Sequence, residues 1–224
     1  MRITLITLIT ASIFFLIACG NNSENTSTST DTSTSANNST PTAQTTMPED
    51  TATLTNGLLK PMNDMMTKMH SMQMTGDFDI DFANMMIEHH QSALDMAQVE
   101  LSQGKNEKMK SKAQEIITKQ QKEQQELSAI LQSYKESGMK HGEGDLQKSM
   151  QAMMDKMKSM QMSGNVDKDF ATMMISHHED GISMASLEVK NGMSGKLKKM
   201  AQKEITDQQK DINDFKDWLK DNTK

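Results

Sequence analysis

The chain has 224 residues, a formal net charge of −6 and a mean hydropathy of −0.66. The acidic balance argues against nucleic acid as a partner, and the charges are interleaved as on solvated helical faces. A single cysteine excludes an intramolecular disulfide and a thiolate metal cage.

Residues 1–18 read as a secretory signal: Arg2 is followed by a mostly apolar stretch from Ile3 to Ile17, too short for a comfortable membrane span. Leu16-Ile17-Ala18-Cys19 has the form of a bacterial lipobox, with Cys19 as the lipid-bearing residue. The expected location is therefore the bacterial cell envelope, lipid-anchored, on the outer membrane or in the periplasm if the cell is Gram-negative. Residues 19–56 are rich in Ser, Thr and Asn, bury too little to offset their ordering entropy, and read as a disordered linker.

The remainder, 57–224, has no proline after Pro61 and is punctuated by glycines, which predicts helix throughout. Six helices are expected, over about 58–74, 79–103, 106–136, 145–162, 167–190 and 195–221. Asp77 or Asp79, and Asn165 or Asp167, can cap the second and fifth. The fold class is all-α, a bundle built from two duplicated units, about 58–136 and 145–222. Aligned without gaps, 62–131 and 150–219 share 33 of 70 positions.

Each unit opens on a methionine stripe. Met62, Met65, Met66, Met69 and Met72 repeat as Met150, Met153, Met154, Met157 and Met160, at a spacing that puts each set on one helical face. Such a stripe serves as an apolar seam. Yet 22 methionines against eight leucines beyond residue 60 is an excess that packing does not require, because methionine specifies a core poorly. Thioether sulfur is a ligand for Cu(I).

The stripe leads into a pattern that occurs twice, 88 residues apart: Met85-Met86-Ile87-Glu88-His89-His90 and Met173-Met174-Ile175-Ser176-His177-His178. Adjacent histidines on a helix point about 100° apart, so one helix does not offer both to one metal. Each instead joins residues one or two turns away. Met85, His89, Met96 and Glu100 run along one helix, and Met173, His177, Met184 and Glu188 along the other. If the units pack about a pseudo-two-fold axis, the two faces meet. Glu100 and Glu188 are candidates for carboxylates that orient an imidazole from behind. His70, within the first stripe, and His141, in a glycine-rich loop, are weaker candidates without counterparts.

No Glu-x-x-His di-iron pattern, His-Glu-x-x-His zinc motif, phosphate loop or nucleophile elbow is found, and no enzymatic activity is expected. The segment Asp81-Phe82-Ala83-x-Met85-Met86-Ile87-x-His89-His90-x-x-Ala93-x-x-Met96-Ala97, and its copy from Asp169, resemble the signature of the "domain of unknown function 305" family. Ile205-x-x-Gln208 and Trp218-Leu219 resemble its third-helix pattern. The resemblance implies a ferritin-like helical bundle, secreted or periplasmic, with some copper-binding members. It carries over Met86, His89, His90, Met96, Met174, His177, His178 and Met184 as site residues. Two departures stand out: Glu88 and Ser176 where many members have proline, and Gly181 where alanine is expected.

The expected function is sequestration, tolerance or delivery of copper, as Cu(I), with Ag(I) as a second metal. The candidate ligands are Met65, Met69, His70, Met85, Met86, His89, His90 and Met96, with Met153, Met157, Met173, Met174, His177, His178 and Met184. The expected partners are the metal ion, the membrane through the lipid, and a copper donor or acceptor protein. The alternatives are a methionine-rich protein-binding module, which predicts an exposed methionine face, and a methionine-based oxidant sink.

Overall fold

The computed structural model describes residues 49–137, 140, 142 and 144–222, with side chains from 57 onward. Six helices account for nearly all of it: α1 Glu49–Ser71, α2 Phe78–Gln103, α3 Glu107–Ser133, α4 Asp145–Lys158, α5 Val166–Asn191 and α6 Gly195–Asn222. The all-α expectation holds, and no described residue lies in a strand. The expected lipidation site Cys19 and the candidate His141 lie outside the described residues. Among those described, no helix is long and apolar enough to cross a membrane.

The helix limits differ from expectation mainly around the methionine stripes. α1 begins at Glu49, inside the segment read as linker. It stops at Ser71 and α4 stops at Lys158, so Met72 and Met74, like Met160 and Met162, lie in the connections that follow. Each connection is set by an aspartate one turn into the next helix. Asp81 accepts from the amides of Thr75 and Gly76 at 2.8 and 3.0 Å. Asp169 accepts from Ser163 and Gly164 at 2.7 and 2.9 Å. The turn needs a left-handed residue, supplied by Gly76 (φ 86°) and Gly164 (φ 81°).

Asp77 and Asn165 cap α2 and α5. The other two cap candidates do something else. Asp79 Oδ1 accepts from the amides of Met193 and Ser194 at 3.1 and 2.7 Å, before α6. Asp167 Oδ1 accepts from Lys105 and Asn106 at 2.9 and 2.8 Å, before α3. Each repeat thus satisfies the orphan amides of a helix start in the other repeat.

α2 pairs with α3 and α5 with α6, and the two hairpins dock through α2 against α5. α1 lies on α2 and α5, and α4 on α5, while α3 and α6 meet over only a short stretch. Methionine is the commonest residue of the core: Met62, Met65, Met66, Met69, Met85, Met86, Met96, Met109, Met153, Met173, Met174 and Met184 are all buried. Full burial of such a side chain contributes about 1.5–3 kcal/mol, so most of the sulfur is structural. Phe170 and Phe215 stack edge to face at 5.7 Å and close the α5–α6 end.

Candidate metal centre

The paired histidines divide their work, as a 100° step requires. His89 and His177 point at each other across the α2–α5 contact. Their rings stack with centroids 3.6 Å apart and planes 26° from parallel. His89 Nε2 donates to the carbonyl oxygen of His177 at 3.0 Å, and His177 Nε2 to that of His89, also at 3.0 Å. A carbonyl only accepts, so both rings carry their proton on Nε2. Each Nδ1 is a buried lone pair without a hydrogen-bond partner. Burial, reinforced by the neighbouring imidazoles, holds both well below the ordinary histidine range, so both are neutral.

The expected meeting of the two faces is therefore observed, and it forms a latch. An imidazole binds metal in its ring plane, about 2.0–2.1 Å from nitrogen. Two rings stacked in this way do not bring their planes together at that range, so the pair as it stands does not chelate one ion. Gly181 belongs to the same contact. A Cβ there would lie 2.4 Å from Gln208 Oε1 and 2.9 Å from His89 Cε1, which accounts for glycine where the first repeat has Ala93.

His90 and His178 face away from the latch, toward α3 and α6. His90 Nε2 stands 3.5 Å from Glu123 Oε2 and 3.8 Å from Glu204 Oε1. His178 Nε2 stands 3.6 Å from Asp211 Oδ2. All four ring nitrogens of these two residues lack a hydrogen-bond partner. Burial, with the positive field of His178 and Lys119, lowers His90 to about 3. Burial also raises Glu123, and it raises Glu204 well above the ordinary carboxyl value, with Glu123 adding to the effect. Asp211 is opposite in sign: burial pushes it up, but the nearby His178 imidazole and the hydrogen bond from Lys112 hold it far below the usual range.

Glu100 and Glu188 are fully buried, but they do not reach a histidine. Each lies a turn before a helix end, packed on Gly104 or Gly192. Burial and the neighbouring Asp167 raise Glu100 to about 8; burial and Asp79 raise Glu188 to about 9. Both sit beside the aspartates that cap the helix starts of the other repeat, and none of their carboxyl oxygens has a hydrogen-bond partner. The expected role behind an imidazole is thus replaced by one at the helix starts, because eleven residues along a helix, about 16 Å, separate them from the latch.

Soft donors gather elsewhere. A cavity of about 210 Å³ is lined by Met69, His70, Met72, Met74, Met85, Gln147 and Met150. Its wall grades from buried Met69 and Met85, through half-buried Met72, Met74 and Met150, to exposed His70. Five thioethers and one imidazole with no carboxylate form a donor set suited to a soft monovalent ion. Met69, His70 and Met85 were legible as candidates; Met72, Met74 and Met150 join because α1 ends at Ser71 and the chain turns back over the stripe. The remaining candidates Met65, Met86, Met96, Met153, Met173, Met174 and Met184 are core side chains, and Met157 is half-buried. Among the described residues, no group of three or more His, Asp or Glu side chains is placed to hold a metal ion as it stands.

Known proteins place the chain further. A CopM structure in the Ag-bound form is 28% identical over 66% of this chain and 98% of its own, with a TM-score of 0.48. CopM in the Cu(I)-bound form is 27% identical over the same shares, also at 0.48. A DUF305 fragment from Deinococcus radiodurans is 19% identical over 63% of this chain and 95% of its own, at 0.48. No curated protein matches the sequence. The family described as "Domain of unknown function (DUF305)" matches twice, over residues 21–131 and 79–219, and the chain belongs to that family.

Proposed function

We propose that this protein binds Cu(I), and Ag(I) in its place, at the methionine-lined cavity between α1, α2 and α4, and that it sequesters or delivers the metal without catalysing a reaction. The observation that carries the reading is the lining itself: Met69, Met72, Met74, Met85 and Met150 with His70 at the mouth. Thioethers bind soft ions and carry no proton to be displaced, whereas the imidazole is open to competition from acid. Cys19 would tether the protein to the envelope by lipid, where thiols are liable to oxidise and a site without cysteine keeps its ligands.

Packing alone would ask for better-defined side chains than methionine around a cavity. The alternative of a methionine-rich docking face has less support: among the described residues the one large apolar side chain classed as exposed is Met193.

The test is titration of the purified protein with Cu(I) and Ag(I) under reducing conditions, beside Met69→Leu/Met72→Leu/Met74→Leu. Leucine keeps the apolar volume and removes the sulfur. Binding tighter than micromolar that weakens at least about tenfold, 1.4 kcal/mol, in the variant is expected. Equal binding in both proteins would sink the reading.

A further inference from the structure

A second set of ligand-bearing side chains lies on the other side of the latch. α3 and α6 each present a seam with four- and three-residue steps: Met109, Ala113, Ile116, Gln120, Glu123 and Leu127, and Leu197, Ala201, Glu204, Gln208, Asp211 and Phe215. Such seams are normally apolar. Here their centres are polar and buried: Gln120 is 1% exposed, Glu123 5%, Glu204 2% and Gln208 0%. A carboxylate in a seam is costly unless something compensates it.

The compensation is incomplete. His90 Nε2 and Glu123 Oε2 both lack a hydrogen-bond partner although they are 3.5 Å apart. The other Glu123 oxygen stands 3.6 Å from Lys203 Nζ, which leaves Oε2 turned inward. Gln208 Nε2 donates to Glu204 Oε1 at 2.7 Å and fixes that carboxyl on the His90 side. From His90 the two carboxyl oxygens stand at 3.5 and 3.8 Å. Ligands about 2.0–2.1 Å from a tetrahedral ion are about 3.3 Å from one another, so both carboxyl oxygens lie within about half an ångström of ligand spacing from His90, and the side chains must move inward for all three to hold one ion.

We infer that His90, Glu123 and Glu204 form a site for one divalent transition-metal ion with nitrogen and oxygen ligands, of the Zn(II) class, distinct from the thioether cavity. One imidazole and two carboxylates suit a borderline or hard divalent ion and not Cu(I). Gln208 is a positioning residue, holding a ligand from behind as such groups do at metal sites. A way in exists: a cavity of about 600 Å³ opens between α3 and α6, with Glu123 in its wall and Lys119, Lys203 and Asp207 beside it.

The duplication supplies an internal control. The residue equivalent to Glu204 in the first repeat is Ile116, so no third ligand faces His178. Its one carboxylate, Asp211, is already held by Lys112 at 2.7 Å and Lys119 at 3.1 Å. One site is therefore expected, on the His90 side.

The experiment is Zn(II) titration of the whole protein against a chromophoric chelator, with Co(II) as a visible-band probe, in native, Glu123→Gln/Glu204→Gln and Asp211→Asn forms. One equivalent of Zn(II) is expected, with the affinity lowered at least about tenfold and the Co(II) band lost in the double variant. Asp211→Asn should leave both unchanged. Zinc-edge absorption of the native protein gives the ligands independently of any variant: an imidazole with oxygen neighbours is expected. No stoichiometric binding, unchanged binding in the double variant, or sulfur around the zinc would each overturn the site. Ag(I) binding is read separately, so failure here leaves the thioether cavity untouched, and the reverse.

Discussion

The two repeats share the groups that hold the molecule together and differ at some of the groups that reach toward a ligand. His89 matches His177, Asp79 matches Asp167, Asp81 matches Asp169, and Glu100 matches Glu188. Each pair makes the same contact in both copies, down to the amides that the aspartates cap. Around the candidate sites the match is partial: the methionines and His90 recur, but other groups do not. His70 faces Lys158 in the alignment, Glu204 faces Ile116, Lys112 faces Met200 and Ala93 faces Gly181. Departure between the copies therefore marks where the two halves have different chemistry.

The largest effect should come from breaking a symmetric pair. His89→Ala and His177→Ala each remove a buried ring, a stacking contact and one of the reciprocal hydrogen bonds. Each should cost about 2–4 kcal/mol in urea unfolding. Because each ring rests on the other, the double variant should lose about 1–3 kcal/mol less than the sum. Strictly additive losses would mean that the two rings act separately and that the latch is not a unit.

A smaller effect of opposite sign is expected at Glu100 and Glu188. The fold keeps protons on them up to about 8 and about 9, while the unfolded chain releases them near 4.5. The native state then binds more protons, and stability falls as pH rises from about 4.5 toward 8 to 9, levelling above that. Glu100→Gln/Glu188→Gln keeps the side-chain volume without the ionisation. It should gain at least about 1 kcal/mol at pH 8 and flatten the slope of melting temperature against pH. A slope unchanged in the variant would place the linkage on other groups.

The smallest effect sharpens the comparison at the methionine stripes. The residues equivalent to Met69, Met72, Met74, Met85 and Met150 are Met157, Met160, Met162, Met173 and Met62, so the five sulfurs recur and the histidine does not. His70→Lys should remove the acid-sensitive part of Ag(I) binding, a change of about two- to fivefold between pH 7 and 5. A pH profile identical to that of the native protein would take His70 out of the site.

Much of this was legible in the chain before any coordinates. Glycine punctuation and the 88-residue repeat give six helices, and the 100° step between adjacent residues divides the histidines into an inward and an outward set. The latch was foreseen only as two faces that would meet, because stacking and the Nε2-to-carbonyl bonds depend on how closely α2 and α5 approach, which Gly181 decides. The ends of α1 and α4 were misplaced by three or four residues, since Asp81 and Asp169 reach back and stop the helix in a way that local propensity does not encode. Glu100 and Glu188 sit on the histidine stripe by spacing, yet their partners come from the other repeat. The one signal passed over was in α3 and α6, where glutamine, glutamate and aspartate occupy steps of an otherwise apolar seam. In two exposed-looking, lysine-rich helices such residues pass for surface until the seam is traced.

The reciprocity of contacts at a fixed offset has a consequence for descent. When residue i touches residue i+88, and the second touches the first in the same way, the interface is the kind a homodimer makes about its two-fold axis. A single unit would lack partners for its Asp79-type carboxylate and its latch histidine, and would find both on a second copy of itself. The present chain is then such a dimer joined end to end. In a true homodimer any mutation appears on both sides of the axis at once. Joining the halves released them from that constraint, and one seam could hold a glutamate where the other holds an isoleucine.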